Sequence, residues 1–197
     1  MARYATGPDE PSPYVPEDGV VAQDGVGVPD ALMRLWAPHR MAYHGELDAA
    51  ADPATGERAC PFCRIPQLPD TDGLIVHRGE RVFAVLNLYP YNPGHILVCP
   101  YRHVGDLTEA TAAERAETME VASSSMTAVR AAAAPQGFNI GFNQGAVSGG
   151  SVNDHLHLHV VPRWQGDAGF MTVIGNTKSL PLLLGQTRDL IADAWPA

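Results

Sequence analysis

Asn153-Asp154-His155-Leu156-His157-Leu158-His159-Val160-Val161-Pro162-Arg163-Trp164 carries an imidazole at three alternate positions. Side chains two residues apart share a face on a β-strand and scatter around a helix. The stretch therefore predicts a strand with His155, His157 and His159 on one face and Leu156, Leu158 and Val160 on the other. The apolar face reads as core. The histidine face costs solvation and side-chain freedom that apolar burial does not explain, which marks it as functional.

Upstream, Gly145-Ala146-Val147-Ser148-Gly149-Gly150-Ser151 is a small-residue loop, and Phe138-Asn139-Ile140-Gly141-Phe142-Asn143 before it reads as a strand. Residues 108–134 predict one long helix, with Met119, Ala122, Met126, Val129 and Ala133 forming an apolar stripe at 3-4-3-4 spacing. Asp106 or Thr108 is expected to cap its start, and Pro135 and Gly137 to end it. Val82 to Leu88 is almost continuously apolar and predicts a strand buried on both faces. Leu74-Ile75-Val76 precedes it across a turn at Arg78-Gly79-Glu80. Tyr89-Pro90-Tyr91-Asn92-Pro93-Gly94 is a loop, and His95-Ile96-Leu97-Val98-Cys99 is a further strand stopped by Pro100. Downstream, residues 180–193, with Leu182, Leu183, Leu190 and Ile191, read as a C-terminal helix. Strands on both sides of one helix predict an α+β fold with a largely antiparallel sheet.

Residues 1–28 are rich in Pro, Gly and Asp and are expected to be a disordered or loosely docked tail. Residues 29–197 are expected to form a single domain, with a short helix starting at Asp30 and a loop over 44–58. The formal net charge of −9 argues against a nucleic-acid or anionic-membrane binder, since both need a basic patch. The chain has no apolar run of membrane-spanning length and its first residues lack a signal-peptide core, so a cytoplasmic protein is expected. Three cysteines, two of them in Cys60-Pro61-Phe62-Cys63, do not make a disulfide framework there. Cys99 reads as a small buried hydrophobe.

Neutral imidazole attacks phosphorus well, and a hydrogen bond to its second nitrogen fixes the tautomer. Such an attack also needs donors for the non-bridging oxygens. The Gly145–Ser151 loop, with its close-approaching backbone N–H groups and the hydroxyls of Ser148 and Ser151, offers them. Alternate histidines also make metal sites, and a metalloenzyme with three imidazole ligands is the rival reading. Cys60 and Cys63 bear on this choice. With His103 and one histidine of the triad they could close a four-ligand zinc site, which would be structural.

The run His155-Leu156-His157-Leu158-His159-Val160-Val161 resembles the signature of the histidine triad family, His-φ-His-φ-His-φ-φ. Val82-Phe83-Ala84-Val85-Leu86-Asn87 resembles that family's ribose-binding strand, and Pro93-Gly94-His95-Ile96-Leu97-Val98-Cys99-Pro100 the strand that follows it. The resemblance covers about residues 60–170. Within the family the chain is similar to the actinobacterial diadenosine tetraphosphate phosphorylases, over Leu35-Trp36-Ala37-Pro38-His39-Arg40-Met41, Ala84 to Asn92 and His159 to Asp167.

The resemblance implies His157 as the nucleophile that takes the nucleotidyl group. It implies phosphate contacts from His159, Asn143, Gly150 and Ser151, a ribose contact from Asn87, and base stacking or a subunit contact from Trp164. It implies one structural zinc per chain on Cys60, Cys63, His103 and His155, with no organic cofactor. The implied partners are an adenine nucleotide or dinucleoside polyphosphate and inorganic phosphate. The implied assembly is a homodimer or larger homo-oligomer. A hydrolase of dinucleoside polyphosphates or nucleoside phosphoramidates is the alternative within the family, and a nucleotide-binding sensor the alternative outside enzymes.

Overall fold

The computed structural model of the chain describes residues 60–149, 152–175 and 177–196. The readings made for residues 1–28, the helix from Asp30 and the 44–58 loop lie outside these residues, as do Gly150 and Ser151. Five strands form one sheet: β1 (Ile75–Arg78), β2 (Val82–Leu86), β3 (Ile96–Pro100), β4 (Gly137–Phe142) and β5 (Leu158–Arg163). Their spatial order is β1-β2-β3-β5-β4, and each neighbouring pair is antiparallel. The helices are α1 (Pro61–Arg64), α2 (Ala112–Ala133), α3 (Phe170–Gly175) and α4 (Leu184–Asp193). This is the expected α+β architecture. Among the described residues, no helix is long and apolar enough to cross a membrane.

The period-2 alternation sorts the strand residues into two cores. Val82, Ala84, Leu86, Ile96, Val98, Leu158 and Val160 face α2 and pack on its Val121, Ala122, Ala128 and Val129. Phe83, Val85, Leu97 and Cys99 face the other way, with Ile75 and Phe62. Every residue of β2 and β3 is buried, as the apolar runs predict. Each large aliphatic side chain buried there contributes roughly 1.5–3 kcal/mol to the fold. His159 stands opposite Leu97 in the β3–β5 register, so it lies on the face turned away from α2.

Several boundaries differ from expectation for local reasons. The helix α2 starts at a capping box on Thr111, not on Asp106 or Thr108. Glu114 N–H donates to Thr111 Oγ1, and Thr111 N–H donates to the Glu114 carboxylate. Asp106 instead closes the preceding turn, accepting from the backbone and hydroxyl of Thr108. The helix ends at Ala134, in the left-handed region at φ 45°, with Pro135 next. Its buried face also differs from the expected stripe. Met119 is 57% exposed and Ala133 is exposed, while Thr118, Val121, Ser125 and Ala128 are buried. The hydroxyls of Thr118 and Ser125 donate to carbonyls one turn back, which lets small polar side chains pack closely against the sheet.

The strand over 82–88 stops at Leu86, and Leu88 is exposed. Pro100 closes β3 from within, because its missing N–H falls at the strand's last position. The C-terminal helix is shorter than expected: Leu182, Leu183 and Leu190 are exposed and only Ile191 is buried in the core. The short helix α3 had no counterpart in the periodicity reading.

Candidate active site

The histidine stretch is only partly a strand. The ladder of β5 begins at Leu158, and His155 and His157 lie before it. Two bonds pull this segment towards residues 100–104: Leu156 N–H donates to Val104 O at 2.6 Å, and His155 Nε2 to Pro100 O at 2.9 Å. Leu156 accordingly packs with Val104 and Ala110, apart from Leu158 and Val160. Gly105 makes this approach possible, since a Cβ there would lie 3.3 Å from the backbone of Asp154. All three histidines are buried, at 1%, 6% and 9% exposure in chain order.

Each imidazole has its own partners. His155 Nδ1 lies 3.2 Å from Cys60 Sγ and 3.5 Å from Cys63 Sγ. Its Nε2 must carry the proton, because Pro100 O only accepts. His157 Nδ1 lies 2.8 Å from the backbone carbonyl of His155. Nδ1 is therefore the protonated nitrogen of His157, and Nε2 keeps its lone pair. Burial lowers the basicity of both rings and so favours their neutral forms.

His159 is governed by His95, which lies one residue before β3. The backbone N–H of Tyr91 donates to His95 Nδ1 at 3.1 Å, and Asn87 Nδ2 lies 3.3 Å from the same atom. His95 Nε2 then bears the proton and donates to His159 Nδ1 at 3.0 Å. His159 Nε2 in turn bears a proton, and Asn143 Nδ2 lies 3.3 Å from it, so the amide must present its oxygen there by a flip. Only the amide oxygen of Asn143 can accept from that N–H. Burial, reinforced by the neighbouring histidines, pushes His95 down to about 3 and His159 down to about 4. Gly94, at φ 70°, supplies the left-handed turn that delivers His95 to this position. Tyr91 stacks on His159 at 5.7 Å between ring centroids.

Cys60, Cys63, His103 and His155 place their donor atoms within 4.8 Å of one another. His103 Nδ1 lies 3.2 Å from Cys63 Sγ. The donor set suits a thiophilic cation. The second nitrogen of His155 is anchored on a carbonyl, as metal-binding histidines require. Burial, with the neighbouring Cys63 thiol adding to it, pushes the Cys60 thiol up to about 11, a cost that a bound cation removes. A three-imidazole centre does not form among the described residues, because the three rings turn to three different partners.

The HIT domain family matches residues 69–166. The AP-4-A phosphorylase of Mycobacterium tuberculosis H37Rv is 49% identical over 180 residues, covering 91% of this chain and 92% of that protein. The chain belongs to the HIT domain family. Solved HIT structures agree with its fold. A Zn-bound histidine triad family protein from Mycobacterium smegmatis superposes with a TM-score of 0.57 at 28% identity, over 69% of this chain and 92% of that one. A histidine triad nucleotide-binding protein from Sulfolobus tokodaii superposes with a TM-score of 0.57 at 27% identity, over 68% and 91% of the two chains.

The remaining expected site residues of this HIT protein are arranged as follows. Asn87 sits just past β2, where its Oδ1 accepts from Tyr89 N–H at 3.0 Å beside His95. Trp164 lies just past β5, and its Nε1–H donates to Ala133 O at the end of α2. The Ser148 hydroxyl donates within its own turn, to Gly145 O at 2.7 Å, so it is not the free phosphate donor that was expected. Two residues of the site had been missed. His95 shares the parity of Leu97 and Cys99 and so the histidine face, a signal present in the sequence. Phe62, whose ring centroid lies 4.9 Å from that of His157, gave no signal of its own.

Proposed function

We propose that this HIT protein is a nucleotidyltransferase that cleaves diadenosine tetraphosphate with inorganic phosphate, giving ADP and ATP. The observation that carries the reading is the bond from His157 Nδ1–H to the His155 carbonyl, which leaves Nε2 as the nucleophilic lone pair. In the first step Nε2 attacks the α-phosphorus, the bond to the bridging oxygen of the β-phosphate breaks, and ATP departs. In the second step an oxygen of inorganic phosphate attacks the adenylyl phosphorus, the P–N bond breaks, and ADP leaves. Covalent catalysis divides one hard displacement into two. His159 Nε2–H donates to a non-bridging oxygen, alongside Asn143, Gly150 and Ser151. Asn87 contacts the ribose, and Trp164 stacks on a base or meets a second subunit. Phosphate as acceptor is supported by the likeness to the mycobacterial AP-4-A phosphorylase.

Cys60, Cys63, His103 and His155 would hold zinc, which with four protein ligands serves structure and leaves no open position for substrate. The assembly is a homodimer or a larger homo-oligomer built on it. Among the described residues, β4 pairs with β5 on one side only and Ile140 on it is 44% exposed, whereas β1 at the other edge is held by α4, where Arg188 Nε donates to Ile75 O. An open β4 edge suits pairing with its copy. The working compartment is the cytoplasm.

Product analysis with diadenosine tetraphosphate, with and without inorganic phosphate, tests the reading. Phosphate-dependent ADP plus ATP is the expected result. AMP plus ATP formed equally without phosphate would make the protein a hydrolase.

A further inference from the structure

The metal-ligand cluster and the nucleophile share a residue. The ring of His155 serves the cysteine pair, and its backbone carbonyl holds His157 Nδ1–H at 2.8 Å. The helix α1 makes a second link. Cys60 is its N-cap and Cys63 lies within it. Phe62, between the two thiols, is buried, with its ring centroid 5.5 Å from that of His155 and 4.9 Å from that of His157. A single helical turn has no stability of its own. What holds α1 is the burial of Phe62 among Ile75, Phe83, Val85, Leu97 and Cys99, together with the contacts of Cys60 and Cys63 with His155 and His103.

We propose that this metal centre is the positioning frame of the His157 nucleophile, acting through the His155 carbonyl and the Phe62 ring. The proposal rests on the reading of His157 as nucleophile. Ligation through Cys60 and Cys63 fixes α1, and α1 fixes the Phe62 ring against His157. Ligation through His155 Nδ1 fixes that residue, and with it the carbonyl that keeps the proton on His157 Nδ1. Release of the cation frees both supports. His157 can then turn its ring and exchange the roles of its nitrogens. Displacement of a reacting group by about 1 Å costs on the order of 10²-fold in rate. A centre that only staples the fold would instead lower stability and leave the His157 ring as it is.

The test uses the full chain with ¹⁵N-labelled histidine, zinc-loaded and chelated. Long-range ¹H–¹⁵N spectra report which nitrogen of His157 bears the proton, and rapid quenching with diadenosine tetraphosphate gives the rate of adenylyl-His157 formation. The loaded protein is expected to show a single Nδ1–H form. Chelation should give a mixture of tautomers and slow adduct formation by about tenfold or more at saturating substrate. Phe62→Leu keeps all four ligands, so it should retain one metal per chain yet show a comparable loss in kcat, with KM nearly unchanged. A chelated protein that keeps the single tautomer and its adduct rate overturns the proposal, as does Phe62→Leu with wild-type kcat. Absence of any adduct in the loaded wild type would instead refute the nucleophile reading, and the tautomer spectra would still decide the frame.

Discussion

The two flanks of His157 are built from the same side chain and do opposite things. On one side His155 spends its N–H on Pro100 O and turns a lone pair towards two thiols, which is the arrangement of a cation ligand. On the other side His159 receives a hydrogen bond from His95 on Nδ1 and presents an N–H from Nε2, which is the arrangement of an anion donor. His157 between them protonates Nδ1 and keeps Nε2 free. An imidazole has no fixed role. Its role is set by whichever unambiguous donor or acceptor stands next to it, here two backbone carbonyls and the backbone N–H of Tyr91.

The largest expected effect is at the centre of this comparison. His157→Ala should lower turnover by about 10⁴-fold or more and leave the thermal midpoint close to wild type. Steady-state rates and calorimetry check it, and retained turnover would remove the nucleophile. On the cation flank, Cys60→Ser should lose bound zinc and lower the thermal midpoint by roughly 5–10 °C, since a few kcal/mol shifts a chain of this size by that much. Elemental analysis and a melt settle this together, and unchanged values on both would dissolve the metal flank.

On the anion flank, His95→Asn should cost roughly tenfold in kcat, because His159 loses the donor that fixes its tautomer. The same variant carries a pH signature. His95 is depressed from 6.5 to about 3 in the folded protein, so the unfolded chain takes up the proton first as pH falls. Stability from this group is complete above about pH 6.5 and is lost progressively towards 3. Urea denaturation at pH 7 and pH 5 should show a shallower fall for His95→Asn than for wild type. Equal falls would mean that the buried relay does not titrate as described. The smallest effect belongs to the cap of α2, outside both flanks. Thr111→Ala removes the capping box of α2 and should cost about 1 kcal/mol with kcat unchanged. A loss of activity there would show that the helix, and not only the sheet, tunes the histidines.

How far the sequence was legible follows from which interactions are local. The two faces of β2 and β3 were readable because period-2 alternation and continuous apolar runs are properties of neighbouring residues. The order β1-β2-β3-β5-β4, with β5 entering beside β3, depends on contacts across the chain. The cap on Thr111 was open to recognition, because Thr111 and Glu114 have the spacing of a capping box. The stripe on α2 held at Ala122, Met126 and Val129 and not at Met119 and Ala133, and the buried face also takes in Ser125 and Thr118, which hide their hydroxyls on their own helix. The triad histidines were legible as a group, and their separate proton assignments were not. Those of His155 and His159 depend on Pro100 and on Tyr91 through His95, residues that no spacing rule connects to the triad.

The four-ligand corner also has an order of arrival. Cys63 and His155 are separated by 92 residues along the chain. A ribosome adding roughly 5–20 residues per second needs on the order of 5–20 s to cover that interval. For that time the nascent chain carries two thiols, joined partway by His103, with no fourth donor. Until His155 emerges, the thiols lack the imidazole whose Nδ1 lies 3.2 and 3.5 Å from them in the folded chain. His155 completes the four-donor group, and its carbonyl also accepts from the Nδ1–H of His157 two positions later. Completion of the donor group and the hold on the His157 ring thus wait on the same residue.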